Sequence, residues 1–218
     1  MTEDGSHSLK VSGLDEHYHS IYGALAESRH VFIDAGLRLL LSGNSSVIRV
    51  LEIGFGTGLN ALLTLVESIH SGKRIYYTSL DPYPLEEEIW RKLNYPDLFE
   101  EEMAGGWFNK MHQLAWNEEA AVCSGYYLSK MQCSLQNYDE DVRKFDLIYF
   151  DAFGPDVQPE LWTEEIFEKI AEMTKQGGIL VTYSAKGSVR RALQSAGFIV
   201  ERIPGPSGKR EMMRGVRR

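Results

Sequence analysis

The chain has only two cysteines among its 218 residues, Cys123 and Cys133, and no histidine stands beside them at metal-ligand spacing. They read as two thiols of a reducing compartment rather than as a disulfide or half of a zinc site. The six histidines (His7, His17, His19, His30, His70, His112) show no ligand spacing either, so no metal is expected. No apolar run approaches the roughly 20 residues of a membrane-spanning helix. The start, Met1-Thr2-Glu3-Asp4-Gly5, is polar and acidic and lacks the pattern of a secretion signal. A cytoplasmic protein without membrane contact is therefore expected. The chain also lacks positive charge: its net charge is −8, which argues against a general nucleic-acid binder. Internal repeats and low-complexity tracts are absent, and nothing fixes an oligomeric state, so a monomer would suffice.

What is present begins at residue 47. An apolar run, Val47 to Ile53, carries Glu52 near its end and leads into Gly54-Phe55-Gly56-Thr57-Gly58, after which a helical pattern starts at Leu59. Strand, glycine turn, helix is the layout of a nucleotide-type cofactor site. Glycine allows positive φ and lets a ligand approach bare backbone. The helix N-terminus points free N–H groups at that ligand. The spacing E-x-G-x-G-x-G differs from the dinucleotide fingerprint G-x-G-x-x-G. It is led by an acid, which suits a cationic ligand without phosphate better than a pyrophosphate.

Strand-like and helix-like segments then alternate. Leu59 to Ile69 predicts a helix, Arg74 to Leu80 a strand and Phe145 to Phe150 another. A helix capped by Thr163 and stopped by Gly177-Gly178 follows, then a strand from Ile179 to Tyr183 and a helix from Ser188 to Ala196. Residues 84 to 130 predict two or three helices, and Tyr126 to Leu135 a strand. Strands at Phe198 to Ile203 and Glu211 to Val216 have no helix between them and must pair antiparallel. The expected fold is α/β and Rossmann-like: a mostly parallel seven-stranded sheet with a C-terminal antiparallel hairpin, covering residues 47–218. Residues 1–46, with a helix reaching Leu41, form an N-terminal extension packing on that core, and the whole is a single domain.

In such a sheet the ligand sits beyond the carboxyl ends of the strands. Three acids fall there. Glu52 leads the glycine turn, Asp81 ends the second strand and could accept hydrogen bonds from ribose hydroxyls, and Asp151 follows Phe150. If the acceptor is an amine, Asp151 has a chemical role. An ammonium has no lone pair, and a carboxylate beside it can take its proton. His17-Tyr18-His19 reads as a loop or lid. From Lys186 to Arg218 there are nine basic residues against two acids, a segment charge of +7 that leaves −15 for the rest. Such an edge could hold a polyanion while the acidic body stays soluble.

Five segments carry a family resemblance. They are Tyr22-Gly23-Ala24-Leu25-Ala26-Glu27-Ser28-Arg29-His30-Val31-Phe32, Glu52 to Asn60, Leu80-Asp81-Pro82-Tyr83-Pro84-Leu85, Asp151-Ala152-Phe153-Gly154-Pro155 with Pro159, Leu161 and Trp162, and Gly187 to Phe198 followed by Gly208-Lys209-Arg210-Glu211-Met212. Together they resemble the methyltransferase domain of the MnmC family, most closely its stand-alone form, MnmD. That resemblance implies a class I methyltransferase that uses S-adenosylmethionine to convert 5-aminomethyl(-2-thio)uridine to its methylaminomethyl form at the tRNA wobble position. It implies cofactor contacts at Glu52, Gly54, Phe55, Gly56, Thr57, Gly58, Asn60 and Asp81, with Asp151 catalytic and also touching cofactor. The acceptor would meet Phe153 and Pro155, and a tRNA anticodon stem-loop would meet Lys186, Arg190, Arg191, Lys209 and Arg210. Lys209 and Arg210 are expected away from the Gly54 turn. Leu135-Gln136-Asn137-Tyr138 departs from the family's G-D pair, so Asn137 stands where an acid would face the adenine. The family's FAD-type oxidoreductase domain has no counterpart here, so methyl transfer alone is expected.

Three other classes compete. An aminopropyltransferase of the spermidine-synthase type would share the fold and use Asp151, but expects further acids and no basic edge. Other small-amine methyltransferases fit the same acids. A non-catalytic binding module would not need Glu52, Asp81 and Asp151 together, and a nicotinamide enzyme expects the other glycine spacing.

Overall fold

A computed structural model describes residues 1–10, 17–139 and 143–218. Its centre is one eight-stranded sheet in the order β3-β4-β2-β1-β5-β6-β8-β7. The strands are β1 (Val47–Ile53), β2 (Arg74–Leu80), β3 (Glu119–Cys123), β4 (Tyr126–Met131), β5 (Phe145–Phe150), β6 (Thr174–Thr182), β7 (Phe198–Pro204) and β8 (Glu211–Arg217). Strands β4, β2, β1, β5 and β6 run parallel, while β8 pairs antiparallel with β6 and β7 with β8.

Neighbouring residues of the central strands are apolar because both sheet faces are covered. Val50, Leu147, Tyr149, Val181 and Met212 face one layer. Their neighbours Leu51, Ile148, Phe150, Leu180 and Met213 face the other. The first layer holds α3 (Leu59–Ser68), α4 (Glu87–Trp90) and α5 (Ala104–Gln113). It also holds a continuous helical run made of α1 (Ala24–Ser28), a π-helical stretch (Arg29–Leu37) and α2 (Arg38–Leu41). Gly36 lets that run lie on the sheet: a Cβ there would stand 3.1 Å from Leu147 Cδ1. The second layer holds α6 (Glu164–Met173) and α7 (Gly187–Ser195).

Two expectations need correcting. The sheet has eight strands, not seven: β3 adds to the edge, antiparallel to β4. Only Val122 of β3 is buried, so Glu119-Ala120-Ala121-Val122-Cys123 has no alternation to read. Gly177-Gly178 does not end α6 either. The helix stops at Met173, and both glycines lie inside β6, where the pairing register with β5 shifts between Phe145 and Leu147. Gly177 adopts φ 76° there, as a bulge demands.

Candidate active site

Pairing register puts three functional loops in one row. Ile53 of β1 is paired with Leu80 of β2 and with Phe150 of β5. The next residues, Gly54, Asp81 and Asp151, therefore leave the sheet side by side at its carboxyl edge, where strand order reverses about β1. A cavity of about 850 Å³ opens there. Its floor is the glycine turn, with φ values of 95° at Gly54, 49° at Gly56 and 74° at Gly58. Each glycine has its own reason. A Cβ at Gly54 would stand 3.1 Å from the Asp151 carbonyl oxygen, one at Gly56 3.2 Å from the Tyr18 ring, and one at Gly58 2.9 Å from His112 Nε2.

Asp81 braces this turn. Its two carboxylate oxygens accept N–H bonds from Gly56 and Tyr83, both at 2.8 Å. A carboxylate has about four lone-pair positions, so acceptor capacity remains for a ligand's hydroxyls. Burial raises its pKa in spite of those two bonds.

Behind the turn two carboxyl groups flank one amide. Asn60, in the first turn of α3, donates from Nδ2 to Asp151 Oδ2 at 2.8 Å. Glu52 is fully buried and accepts from Ser79 Oγ at 2.6 Å. Burial lifts Glu52 to about 8, with Asp151 adding to the rise. Burial likewise lifts Asp151 to about 8, with Asn60 opposing. Glu52 Oε1 and Asn60 Oδ1 are buried without a hydrogen-bond partner among the described residues. Buried acids under a turn whose Gly54, Gly56 and Gly58 N–H groups are already taken by Leu80, Asp81 and Phe55 fit a ligand that is cationic and carries no phosphate. Cationic charge beside these acids favours their ionised form. Affinity for such a ligand should therefore climb as pH rises toward 8 and flatten above it, with protons released on binding. Calorimetry in buffers of different ionisation heat reads that release directly, and pH-independent affinity would contradict it.

The expected site residues divide into three groups. Gly54, Phe55, Gly56, Thr57, Asn60, Asp81, Asp151, Phe153 and Lys209 line the cavity. Glu52 and Gly58 lie beneath its lining. Gly58 is the N-cap of α3 and rests on His112, a histidine that stacks on Trp90 and bonds the Thr57 carbonyl at 3.2 Å. Asn137 is exposed and outside the lining, while its neighbours Ser134, Leu135 and Gln136 line the wall there. Pro155 is outside as well. On the basic edge, Lys186 pairs with Asp156, Arg191 and Arg210 are exposed, and Arg190 is half-buried on α7.

Lys209 is the clearest departure. The expectation places it away from the Gly54 turn, yet it shares the turn's cavity, because the β7–β8 loop folds back over α1. Its Nζ bonds Glu27 Oε1 at 2.8 Å and sits 4.0 Å from the centre of the Tyr183 ring. The sequence alone assigns no role to Glu27 or Tyr183, and only a lid's place to Tyr18. Glu27 stands inside the string Gly23-Ala24-Leu25-Ala26-Glu27-Ser28, so the residue is visible there and its target is not. Tyr18 meets Phe153 edge to face, with ring centres 5.4 Å apart. Among the described residues no group of three or more His, Cys, Asp or Glu could hold a metal, and no helix is long and apolar enough to cross a membrane.

A glycine turn at the end of the central strand, a carboxylate on the next strand bracing it, and an acid on the opposite strand beside it define the class I methyltransferase site, which uses S-adenosylmethionine. Comparison with known proteins agrees. The sequence model of the S-adenosyl-L-methionine-dependent methyltransferase family matches residues 98–218, more than half of the chain, and the chain belongs to that family. The tRNA 5-methylaminomethyl-2-thiouridine biosynthesis bifunctional protein MnmC of Aromatoleum aromaticum is 32% identical over 235 residues, covering 100% of this chain and 35% of that protein. The MnmC of Cupriavidus metallidurans is 31% identical over 211 residues, covering 91% of this chain and 31% of that protein. The chain thus spans about a third of the length of these curated relatives. The crystal structure of MnmC2 from Aquifex aeolicus superposes with a TM-score of 0.78 at 26% identity, covering 98% of this chain and 68% of that one.

Proposed function

We propose that this chain methylates the primary amine of 5-aminomethyl(-2-thio)uridine at the wobble position of tRNA, in the cytoplasm, where Asp151 receives the amine's proton. The observation that carries this reading is the position of Asp151: its carboxyl, held by Asn60, enters the cavity one strand from the glycine turn. The bound cofactor supplies a methyl group on a cationic sulfur. Gly54 and Gly56 offer backbone to hold it, and Glu52 and Asp81 complement its positive charge and its hydroxyls. Asn60 orients Asp151 by its amide bond. Phe153 and Tyr18 present aromatic edges against which an unpaired base can pack. The names of the longer relatives, which concern this nucleoside in tRNA, support the substrate class, and the family assignment favours methyl over aminopropyl transfer.

Anticodon-loop phosphates would lie on Lys186, Arg190, Arg191 and Arg210, outside the cavity. Replacing Arg191 and Arg210 by Ala should weaken tRNA binding and flatten its salt dependence, by about 0.7–0.9 in log–log slope for each phosphate no longer neutralised. Thermal melting should barely move, since both side chains are exposed. The function itself is tested with labelled cofactor and tRNA bearing 5-aminomethyluridine. Label should enter that tRNA and spare unmodified tRNA; equal labelling of both would contradict the amine as acceptor.

A further inference from the structure

The cavity holds a buried carboxylate that the proposed chemistry does not use. Glu27, on α1, is 9% exposed. One of its oxygens accepts from Lys209 Nζ at 2.8 Å and the other from the Ser20 backbone N–H at 2.8 Å. A single side chain thereby ties the loop carrying Tyr18 and His19 to the loop between β7 and β8. The N-terminal segment and the β7–β8 loop meet again at Gly208, where an added Cβ would fall 2.3 Å from the Tyr22 ring, and at His30 Nε2, 2.8 Å from the Pro204 carbonyl oxygen. Lys209 is held from a second side by the Tyr183 ring. Tyr183 in turn donates its hydroxyl hydrogen to the carbonyl of Ala152 at 2.8 Å, next to Asp151. Glu27, Lys209, Tyr183 and Asp151 all line one cavity.

We propose that Glu27 and Lys209 act as the positioning pair of the acceptor site, one anion and one cation fixed beside Asp151 so that the incoming amine meets a defined charge. This rests on the reading of Asp151 as the group that takes the amine's proton. The groups around the pair and Asp151 are Glu52 on β1 and Asn60 on α3, which act on Asp151, His19 with Asp4 in the N-terminal segment, beside Glu27, Tyr183 after β6, against Lys209, and Asp81 and Glu160, the other acids of the cavity lining. His19 is pushed down to about 4 by burial, against the pull of Glu27 and Asp4, and so stays neutral near pH 7. Glu27 raises Asp151 and Lys209 lowers it. With the other facing groups unchanged, the two members of the pair act on any proton in the acceptor site with opposite sign.

Opposite sign is a readout that a merely structural brace would not give. Turnover at saturating cofactor and aminomethyl-tRNA is followed against pH for Glu27→Gln, Lys209→Met, Lys209→Arg and the double variant. Removing the cation raises the pKa of the carboxyl and of the bound amine alike, so Lys209→Met should move the acid limb to higher pH. Glu27→Gln should move it lower. Each shift should be roughly half a pH unit or more, as a unit charge lining the same cavity as a buried group gives. Lys209→Arg and the double variant should stay near the wild-type limb. Limbs that stand still, or that move together in both single variants, overturn the pair. If Lys209→Met fails to fold, Glu27→Gln against Lys209→Arg still decides the sign. Asp151→Asn in the same assay separates the two claims. If it turns over like wild type, both the reading of Asp151 and the pair fall. If it is crippled while the limbs stand still, only the pair falls.

Discussion

Asp151→Asn should lower turnover by roughly 10²-fold or more, the range for lost proton handling by a positioned group. The substitution keeps shape and can still accept the Asn60 amide bond, and Glu52 remains beneath the turn, so cofactor should still bind, more weakly and with a shallower rise of affinity toward pH 8. What it removes is the carboxylate that takes the proton. The deficit should narrow as pH rises above about 8, because the wild-type carboxylate is then already ionised while more of the acceptor amine becomes neutral. Wild-type turnover should itself rise with pH toward 8, where burial has placed this carboxyl. Stability provides the control. A carboxyl raised from 3.8 to about 8 on folding keeps its proton longer in the folded state than in the unfolded one. It therefore costs stability as pH climbs from about 4 to 8. Asn lacks that cost, so the variant should melt no lower than wild type at pH 8. A variant as fast as wild type near neutral pH would remove Asp151 from the chemistry.

The second large effect is expected at Asp81. Asp81→Ala deletes the acceptor of the Gly56 and Tyr83 N–H groups together with the lone pairs left for ligand hydroxyls. Loss of hydrogen bonds to a charged group costs about 1.5–3 kcal/mol, so cofactor affinity should fall by roughly ten- to a hundredfold. Asp81→Asn should fall between, since its one amide oxygen can still accept from the glycine turn. Calorimetry giving the wild-type dissociation constant for Asp81→Ala would take Asp81 out of the site.

Much of this site is legible in the sequence because the chemistry is local along the chain. Glu52 to Asn60 is one strand end, one turn and one helix start, and the turn needs glycine at three positions with positive φ. Asp81 and Asp151 can be placed because each directly follows a segment that reads as a strand, and a parallel sheet brings such ends together. The hairpin of β7 and β8 follows from the lack of room for a crossover. What is not legible depends on pairings between distant parts of the chain. Lys209 looks like a phosphate ligand among its basic neighbours, although 182 positions separate it from the Glu27 that holds it. Asn60 looks like a cofactor contact alone, and its bond to Asp151 spans 91 positions. β3 leaves no mark in the pattern because an edge strand with one buried residue has no period to detect.

The most direct measurement is the identity of the product nucleoside. Aminomethyl-tRNA is incubated with cofactor and enzyme for a single turnover, digested to nucleosides and resolved by mass spectrometry, with Asp151→Asn run alongside. The 5-aminomethyl nucleoside should disappear as its N-methyl form appears, at least roughly a hundredfold more slowly with the variant, consistent with the loss expected for proton handling. A methyl group on the base or ribose of another nucleoside, or an aminomethyl nucleoside left unchanged while methyl is consumed, would contradict an amine acceptor at Asp151.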